Sequence, residues 1–336
     1  MKTIINQLLQ WIIAIIIASL IMNFVLFFYN TRPAWINRDG GSTRAIYTPN
    51  SPIVKMTEGI SFRKSDSRGY VNDTDKLADN YIIAIGASHT QGKEVLDGQR
   101  YTDLLNDWLG YDDTALVYNV SEDGYFLPYV LKGFTAVTQE FPDAQKIIIE
   151  IGSTSYPIET FKDAYEQRSF DKTTTGQDLF NSFSNTTKTK LYLKQYTPLY
   201  YNMKDKISTI KELNAQPSST SDEAIDLEEY RSVLNNVMNI ITTQYDKDII
   251  FLYHPKTELT ESGDLSILEN DTDSIFKDVC SSYSNITVVD MGEHFSQEYE
   301  AYNYVPYGFS NTTMATGHLN KEGHRMIAEE LLKIIQ

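Results

Sequence analysis

The pattern of apolar and polar residues divides the chain into one long apolar segment near its start and a series of short apolar runs farther on. Five of these runs have the length and continuous apolar character of strands buried on both faces. They lie at 81–85, 115–119, 146–151, 248–253 and 285–290. Helical spacing of leucines and valines recurs between them, and this alternation predicts an α/β fold with a doubly wound parallel sheet.

The long apolar segment, Trp11 to Phe28, is uncharged and has about the 20 residues that a membrane-spanning helix needs. A cleaved signal peptide is the alternative, but the segment is long for one and no A-x-A site follows it. We therefore predict a single-pass transmembrane anchor over residues 1–30. Basic residues flank the segment on both sides, so the positive-inside rule does not decide its orientation. A short tail before a long acidic domain favours a cell-membrane protein whose C-terminal domain is extracytoplasmic.

The rest of the chain divides by composition. Residues 31–79 are rich in turn-forming residues and predict a juxtamembrane stalk without chemistry of its own. Residues 80–336 form the predicted α/β domain, interrupted by an insertion at 156–220 before a helix that opens at Ser221 or Asp222. The insertion contains several tyrosines, for which sugar stacking and ordinary half-buried packing are both open. They are Tyr192, Tyr196, Tyr200 and Tyr201.

Composition narrows the function. The chain of 336 residues has a formal net charge of −16, which argues against a nucleic-acid partner, because binding phosphates requires a basic surface. Cys280 is the only cysteine, so no internal disulfide is expected. No Cys/His cluster has metal-ligand spacing, and we predict neither a metal nor a cofactor. Oligomeric state is not readable from the sequence.

Small and hydroxyl residues follow three of the predicted strands, where open α/β sheets place their ligand sites. Ser88 follows the first strand and is the candidate nucleophile, although a serine there also caps helices. The segment from Ser121 to Gly124 follows the second strand and Thr154 follows the third. Backbone N–H groups of Ser88 and of Ser121 or Gly124, with the side chain of Thr154, predict an oxyanion hole.

A general base must lie within hydrogen-bond reach of the nucleophile. His318 stands in a predicted loop before the last helix and is the favoured base, while His254, at the end of the fourth strand, is the alternative. A regular turn would point His89 away from Ser88. His324 is interpreted as a cap or surface residue of the last helix, and His294 has no distinguishing context.

These residues resemble four sequence blocks of the SGNH, or GDSL-type, hydrolases over residues 80–336. The blocks are Gly86-Ala87-Ser88, the glycine Gly124, the third-strand turn Gly152-Ser153-Thr154-Ser155, and Ala315-Thr316-Gly317-His318. The family normally has an asparagine at position 154 and an aspartate at position 315. We expect an orienting carboxylate from elsewhere, with Asp290 and Glu293 as candidates, or a Ser-His dyad working alone.

The resemblance implies a three-layer, flavodoxin-like sheet and serine ester hydrolysis with Ser88 and His318 as catalytic residues. With the anchor and the tyrosines, it implies removal of acyl groups, acetyl foremost, from a cell-envelope glycan. An O-acyltransferase would use the same two residues on the same substrate class. A non-catalytic binding or scaffold protein of an envelope polysaccharide assembly would keep the fold without the chemistry, and the replaced positions 154 and 315 favour that alternative.

Overall fold

The computed structural model describes residues 2–31, 33–37, 45–124, 126–166, 176–200, 202–204 and 225–336. The predicted helix start at Ser221 or Asp222 lies outside these residues. So do Tyr201 and the parts of the insertion at 167–175 and 205–220. The description of the fold applies to the described ranges only.

Among the described residues, six strands follow the first helix, and helices and strands are interspersed after them. The helices are α1 (Lys2–Tyr29), α2 (Ser88–Gln91), α3 (Tyr101–Trp108), α4 (Leu127–Glu140), α5 (Ile158–Glu166), α6 (Gly176–Ser182), α7 (Asn185–Gln195), α8 (Leu227–Gln244), α9 (Asp271–Ser281), α10 (Gly292–Tyr302) and α11 (Lys321–Ile335). The strands are β1 (Asn30–Thr31), β2 (Trp35–Asn37), β3 (Ala45–Tyr47), β4 (Pro52–Lys55), β5 (Ser61–Lys64), β6 (Leu77–Ile85), β7 (Ala115–Asn119), β8 (Lys146–Ile151), β9 (Asp248–Tyr253), β10 (Lys256–Leu259), β11 (Leu265–Leu268) and β12 (Ile286–Asp290).

The central sheet contains five parallel strands in the order β12-β9-β8-β6-β7. Numbered along the chain within this sheet, the order is 2-1-3-4-5 from one edge, which is that of flavodoxin-like folds. The predicted doubly wound parallel sheet is confirmed. Strand β6 begins at Leu77, four residues before the predicted start, and its register with β7 shifts between Leu77 and Ile82.

Both faces of the sheet are covered, which explains the continuous apolar strands. Side chains alternate across β6, so that Ile83 and Ile85 pack in one core layer, while Ile82 and Ala84 pack in the other. The first layer includes buried residues of α4, α8 and α9. The second includes buried residues of α3, α10 and α11. The predicted three-layer architecture follows from this arrangement.

The segment predicted as a stalk folds into two small antiparallel sheets, β1-β4-β5 and β2-β3. Strand β1 follows α1 directly and pairs with β4, with Thr31 opposite Val54. The hydrogen bond from Met56 N to Tyr29 O, 2.9 Å long, extends this contact to the end of α1. The loop between β4 and β5 is therefore tied to the end of the first helix.

Helix α1 is the one helix in the described part of the chain that is long and apolar enough to cross a membrane. The qualifying stretch, Ile4–Tyr29, has 26 residues and a mean hydropathy of 2.6. A signal sequence at an N-terminus meets the same criteria. The helix therefore agrees with the predicted anchor without deciding its side of the membrane.

Candidate active site

Ser88 is positioned by a tight turn at the carboxyl end of β6. Gly86 occupies the turn because a Cβ there would lie 2.4 Å from Glu150 Oε2 and 2.5 Å from Thr90 Oγ1. Helix α2 then begins at Ser88 and closes at Gly92, whose φ of 58° is left-handed. Ala87, the residue before the helix, supplies no capping side chain, so Ser88 stands at the uncapped start of this short helix.

The structure brings Ser88 and His318 together, although 230 positions separate them in the chain. Ser88 Oγ lies 2.9 Å from His318 Nε2. The loop that carries His318 is held at its backbone, since Gly308 N donates to His318 O at 3.0 Å. Asn320 then caps α11 by accepting from the backbone N–H groups of Glu322 and Gly323. The imidazole thus lies within hydrogen-bond reach of the predicted nucleophile.

The other side of the imidazole contacts Glu58, in the loop between β4 and β5. Glu58 Oε2 lies 2.6 Å from His318 Nδ1, and Glu58 Oε1 accepts from the backbone N–H of His318 at 3.0 Å. Gly317 permits this approach because a Cβ at that position would lie 2.7 Å from Glu58 Oε1. Ser88, His318 and Glu58 therefore form one continuous line of hydrogen bonds.

The carboxylate fixes the tautomer of the imidazole. An ionised carboxylate only accepts, so the proton of neutral His318 lies on Nδ1, and Nε2 is free to accept from Ser88 Oγ–H. Burial raises the pKa of Glu58, but the hydrogen bonds and charge of His318 outweigh it and hold the pKa below its ordinary value. Glu58 is thus ionised at neutral pH, as an orienting carboxylate must be.

The two carboxylates proposed from sequence make other contacts. Asp290 pairs with Lys277 and accepts from Gly292 N at 2.9 Å. Glu293 accepts from Gln297 Nε2 at 2.8 Å. In the structure Glu58 takes the place proposed for Asp290 or Glu293, because the β4-β5 hairpin reaches the His318 loop. The alternative of a Ser-His dyad without a carboxylate also differs from the structure, because Glu58 contacts His318.

The predicted oxyanion donors are only partly supported by position. Ser88 N–H is at the start of α2, where backbone N–H groups have no partner within the helix. Gly124 lies in an exposed turn with a φ of 77°. Thr154 is fully buried, and its hydroxyl contacts Asp273 at 2.5 Å and Thr272 at 2.7 Å. Its hydroxyl thus bonds to residues at the start of α9, and its role in an oxyanion hole stays a prediction.

His254, the alternative base, is buried beneath the nucleophile turn instead of bonding to Ser88. Its Nε2 lies 2.7 Å from Glu150 Oε1 and its Nδ1 lies 2.8 Å from Tyr307 Oη. Glu150 Oε2 also accepts from Ala87 N at 2.8 Å. Burial raises the pKa of Glu150, but the hydrogen bond with His254 and the positive charge of that imidazole lower it to about 2. A buried, ionised Glu150 therefore braces the turn that presents Ser88.

Of the remaining histidines, His89 contacts the His318 loop and His324 is buried in the core. His89 Nδ1 accepts from Leu319 N at 3.2 Å, and its ring lies 5.2 Å from that of His318. His324 is 1% exposed, and its Nδ1 accepts from Tyr101 N at 3.4 Å. The interpretation of His324 as a cap or surface residue is wrong, because it lies on the core-facing side of α11. Burial lowers the pKa of His324 to about 3.

A buried ion pair and a cavity lie beside Ser88, His318 and Glu58. Lys55 pairs with Glu94, and Glu94 Oε1 lies 3.9 Å from His318 Nε2. Glu94 also lines a cavity of about 600 Å³, within the usual size range of small-molecule sites. Its apolar wall is formed by side chains of three loops, namely Met56, Ile60, Val95, Leu96, Tyr304, Val305, Phe309 and Met314.

One group of residues in the described part of the chain has ligand atoms close enough together to hold a metal ion. It consists of His294, Glu298 and Glu329, whose ligand atoms lie within 4.8 Å of one another. Arg325 already pairs with both carboxylates. The group lies on α10 and α11, and none of its members bonds to Ser88, His318 or Glu58 in the described contacts.

Sequence reasoning missed Glu58 and Glu150. Glu58 contacts a residue 260 positions away, and the chain has 45 acidic residues, so no local pattern selects it. Glu150 had a readable signal, since a charged residue inside the apolar strand 146–151 requires a buried partner. His254, at the end of the next strand in the sheet, is that partner.

No family model matches the sequence, and no curated protein matches it. Solved structures do show similarity. A lipolytic G-D-S-L family protein from Veillonella parvula is 14% identical with a TM-score of 0.36, covering 76% of this chain and 97% of that one. An acetyl xylan esterase is 12% identical with a TM-score of 0.40, covering 76% and 100%. A family 3 carbohydrate esterase from Clostridium thermocellum is 11% identical with a TM-score of 0.36, covering 76% and 94%.

The similar structures thus include the family that the sequence motifs resemble. At these identities and TM-scores the similarity assigns no activity to this chain. The activity proposed below rests on the geometry of the site.

Proposed function

We propose that this protein is a membrane-anchored serine esterase of the SGNH type, in which Ser88, His318 and Glu58 act as a catalytic triad. The observation that carries the proposal is the unbroken contact from Ser88 Oγ to His318 Nε2, at 2.9 Å, and from His318 Nδ1 to Glu58, at 2.6 Å. A serine, a base and an orienting carboxylate in this order activate a hydroxyl for acyl transfer on several unrelated folds.

The reaction proceeds in two steps. Ser88 Oγ attacks the ester carbonyl while His318 Nε2 accepts the hydroxyl proton, and the N–H of Ser88 stabilises the developing oxyanion. Collapse of this intermediate expels the alcohol, which takes the proton from His318. Water then attacks the acyl-enzyme and loses its proton to His318. Collapse of this second intermediate breaks the bond to Ser88 Oγ, which takes the proton from His318 as the acid product leaves. Glu58 stabilises the imidazolium in both steps.

We further propose that the substrate is an acylated glycan of the cell envelope and that the domain is extracytoplasmic. Two features support this proposal: the apolar helix α1 and the motif resemblance. The contact of Glu58 with His318 supports catalysis over a non-catalytic binding or scaffold protein, because it offers a carboxylate in place of the aspartate that position 315 lacks. An O-acyltransferase differs only in using a sugar hydroxyl in place of water.

The test is acetate release from acetylated oligosaccharides by the full chain in detergent. We expect turnover that is abolished in Ser88→Ala and in His318→Ala, with unchanged thermal unfolding. Equal turnover in Ser88→Ala would contradict the assignment. Unacetylated oligosaccharide added to the reaction distinguishes the two reaction types, because a transferase would move acetyl groups to it at the expense of free acetate.

A further inference from the structure

We infer that the protein contacts the bilayer through a second surface, a membrane-contact patch formed by Leu193, Tyr196, Tyr200 and Met203 beside α1. The partner is the interfacial layer of a bilayer containing anionic lipids. The inference rests on the membrane anchoring proposed above and adds a second contact to it.

The first observation is the contact between the segment that carries this patch and residues within the C-terminal half of α1. Asn23 lies within the apolar stretch of the helix. Its Nδ2 donates to Tyr196 O at 2.6 Å, and its Oδ1 accepts from Leu199 N at 3.0 Å. The ring of Phe27 stacks on that of Tyr196, with centroids 5.6 Å apart and an angle of 8° between their planes. The polar amide in an apolar helix is thus explained by its two bonds to the segment after α7.

The second observation is depth. The apolar stretch of 26 residues is about 39 Å long at 1.5 Å per residue, about 9 Å more than a hydrocarbon core of about 30 Å. Asn23 lies six residues before Tyr29, or about 9 Å along the axis. A segment bonded to Asn23 therefore reaches the boundary between headgroups and acyl chains. Interfacial helices insert to a similar depth of about 5–10 Å.

The third observation is the chemistry of the patch. Its four side chains are 56% (Leu193), 50% (Tyr196), 61% (Tyr200) and 58% (Met203) exposed. Water disfavours such a concentration of large apolar side chains on one short segment. Tyrosine is enriched at membrane interfaces because its ring is apolar and its hydroxyl is polar. The patch therefore has the composition of a surface that lies in the interfacial layer.

Charge points to the same partner. Helix α7 contains Lys188, Lys190 and Lys194 and no acidic residue, while the whole chain has a net charge of −16. Lysines near a membrane surface are attracted to anionic lipids. A basic, partly apolar segment in an acidic protein is suited to an anionic bilayer surface.

The test places an environment-sensitive NBD label on the full chain in vesicles of phosphatidylcholine and phosphatidylglycerol. Leu193→Cys and Met203→Cys report on the patch. Ile13→Cys, in the middle of α1, is the reference for an inserted position, and Leu259→Cys, which is 40% exposed on β10, is the reference for water. Cys280 is fully buried, so the unsubstituted chain should take up no label.

We expect doxyl-labelled lipid to quench positions 193 and 203 at least threefold more than position 259. Quenching at 13 with water-like signals at 193 and 203 would overturn the patch and leave the anchoring intact. Shielding of 193 from both water and doxyl lipid would show a protein contact and would also overturn it. No quenching at 13 would overturn the anchoring and the patch together. Thermal unfolding of each labelled chain verifies that the fold is kept.

Discussion

At the scale of single residues, Glu58 distinguishes this site from the arrangement that the sequence motifs suggest. Ala315 occupies the position where the family normally has an aspartate. It is fully buried with a φ of 62°, and its backbone bonds to Tyr307 and Thr257. The carboxylate comes instead from a loop 260 positions away from His318. The proposed triad therefore depends on a tertiary contact between the N-terminal strands and the α/β domain.

The first prediction concerns this carboxylate. Glu58→Gln should lower kcat by about 10²- to 10⁴-fold, because the amide neither fixes the tautomer of His318 nor stabilises its charged form. Glu293→Gln, at an exposed position proposed from sequence, is the matched control and should retain activity. Steady-state kinetics on a chromogenic acetyl ester measure both. Equal loss in the two variants, or loss only in Glu293→Gln, would contradict the role of Glu58.

The second prediction concerns stability in mild acid. Burial lowers the pKa of His324 to about 3 and the pKa of His89 well below its usual range. The unfolded chain takes up these protons below about pH 6.5 while the folded chain does not, so stability falls as pH falls. Between pH 6.5 and 5 most carboxylates remain ionised in both the folded and the unfolded chain, so they contribute little to the change of stability with pH.

Over this window, the slope for His324 should approach about 1.4 kcal/mol per pH unit. Urea unfolding at several pH values measures the slope in the full chain and in His324→Gln, whose amide keeps an acceptor for Tyr101 N. The variant should show a shallower dependence on pH. An identical slope would mean that the imidazole of His324 is not neutral in the folded protein.

At the scale of elements, the local sequence pattern predicts most of the strands of the central sheet, but it does not predict most of the contacts in the candidate site. Strands 115–119, 146–151 and 248–253 were predicted at their observed bounds, because burial on both faces requires an uninterrupted apolar run. Ser88 and His318 were proposed from motifs at strand and helix ends, and the structure brings them together. The positions of Glu58 and Thr154 depend on how loops meet, which local pattern does not encode.

The third prediction tests the loop that carries His318. Gly317 has a φ of 83°, and a Cβ there would lie 2.7 Å from Glu58 Oε1. Gly317→Ala should lower kcat by about tenfold or more by displacing Glu58, in line with the sensitivity of catalysis to small displacements. Gly263→Ala is the control, since its φ of 89° imposes similar backbone strain and nothing lies within 4 Å.

Both variants should lose a similar free energy of unfolding, about 1–2 kcal/mol, from the left-handed backbone alone. Kinetics and thermal unfolding of the two proteins, measured side by side, separate strain from steric displacement. Equal kcat in Gly317→Ala and Gly263→Ala would show that the contact with Glu58 does not limit the reaction.

At the scale of the whole molecule, hydrogen bonds connect helix α1 to the loop that carries Glu58. Strand β1 continues from α1 and pairs with β4, and Met56 N bonds to Tyr29 O two residues before Glu58. The N-terminal segment thus holds the loop that supplies the carboxylate. A segment predicted from sequence to lack chemistry is part of the site.

The fourth prediction follows from this connection. A chain of residues 32–336 lacks α1 and β1 and should lose activity by about tenfold or more, because the Glu58 loop loses one of its supports. Its thermal unfolding should change little, since the five-stranded sheet and both core layers are retained. Full activity in this shortened chain would show that the Glu58 loop is held by the domain alone.

The measurement that tests the triad most directly is covalent labelling of the full chain with a fluorophosphonate, followed by mass spectrometry of the adduct. We predict one adduct, on Ser88, formed rapidly in the unsubstituted protein, about 10²-fold or more slowly in Glu58→Gln, and not at all in Ser88→Ala. An adduct on another residue, or labelling of Ser88 at the same rate without Glu58, would contradict the account.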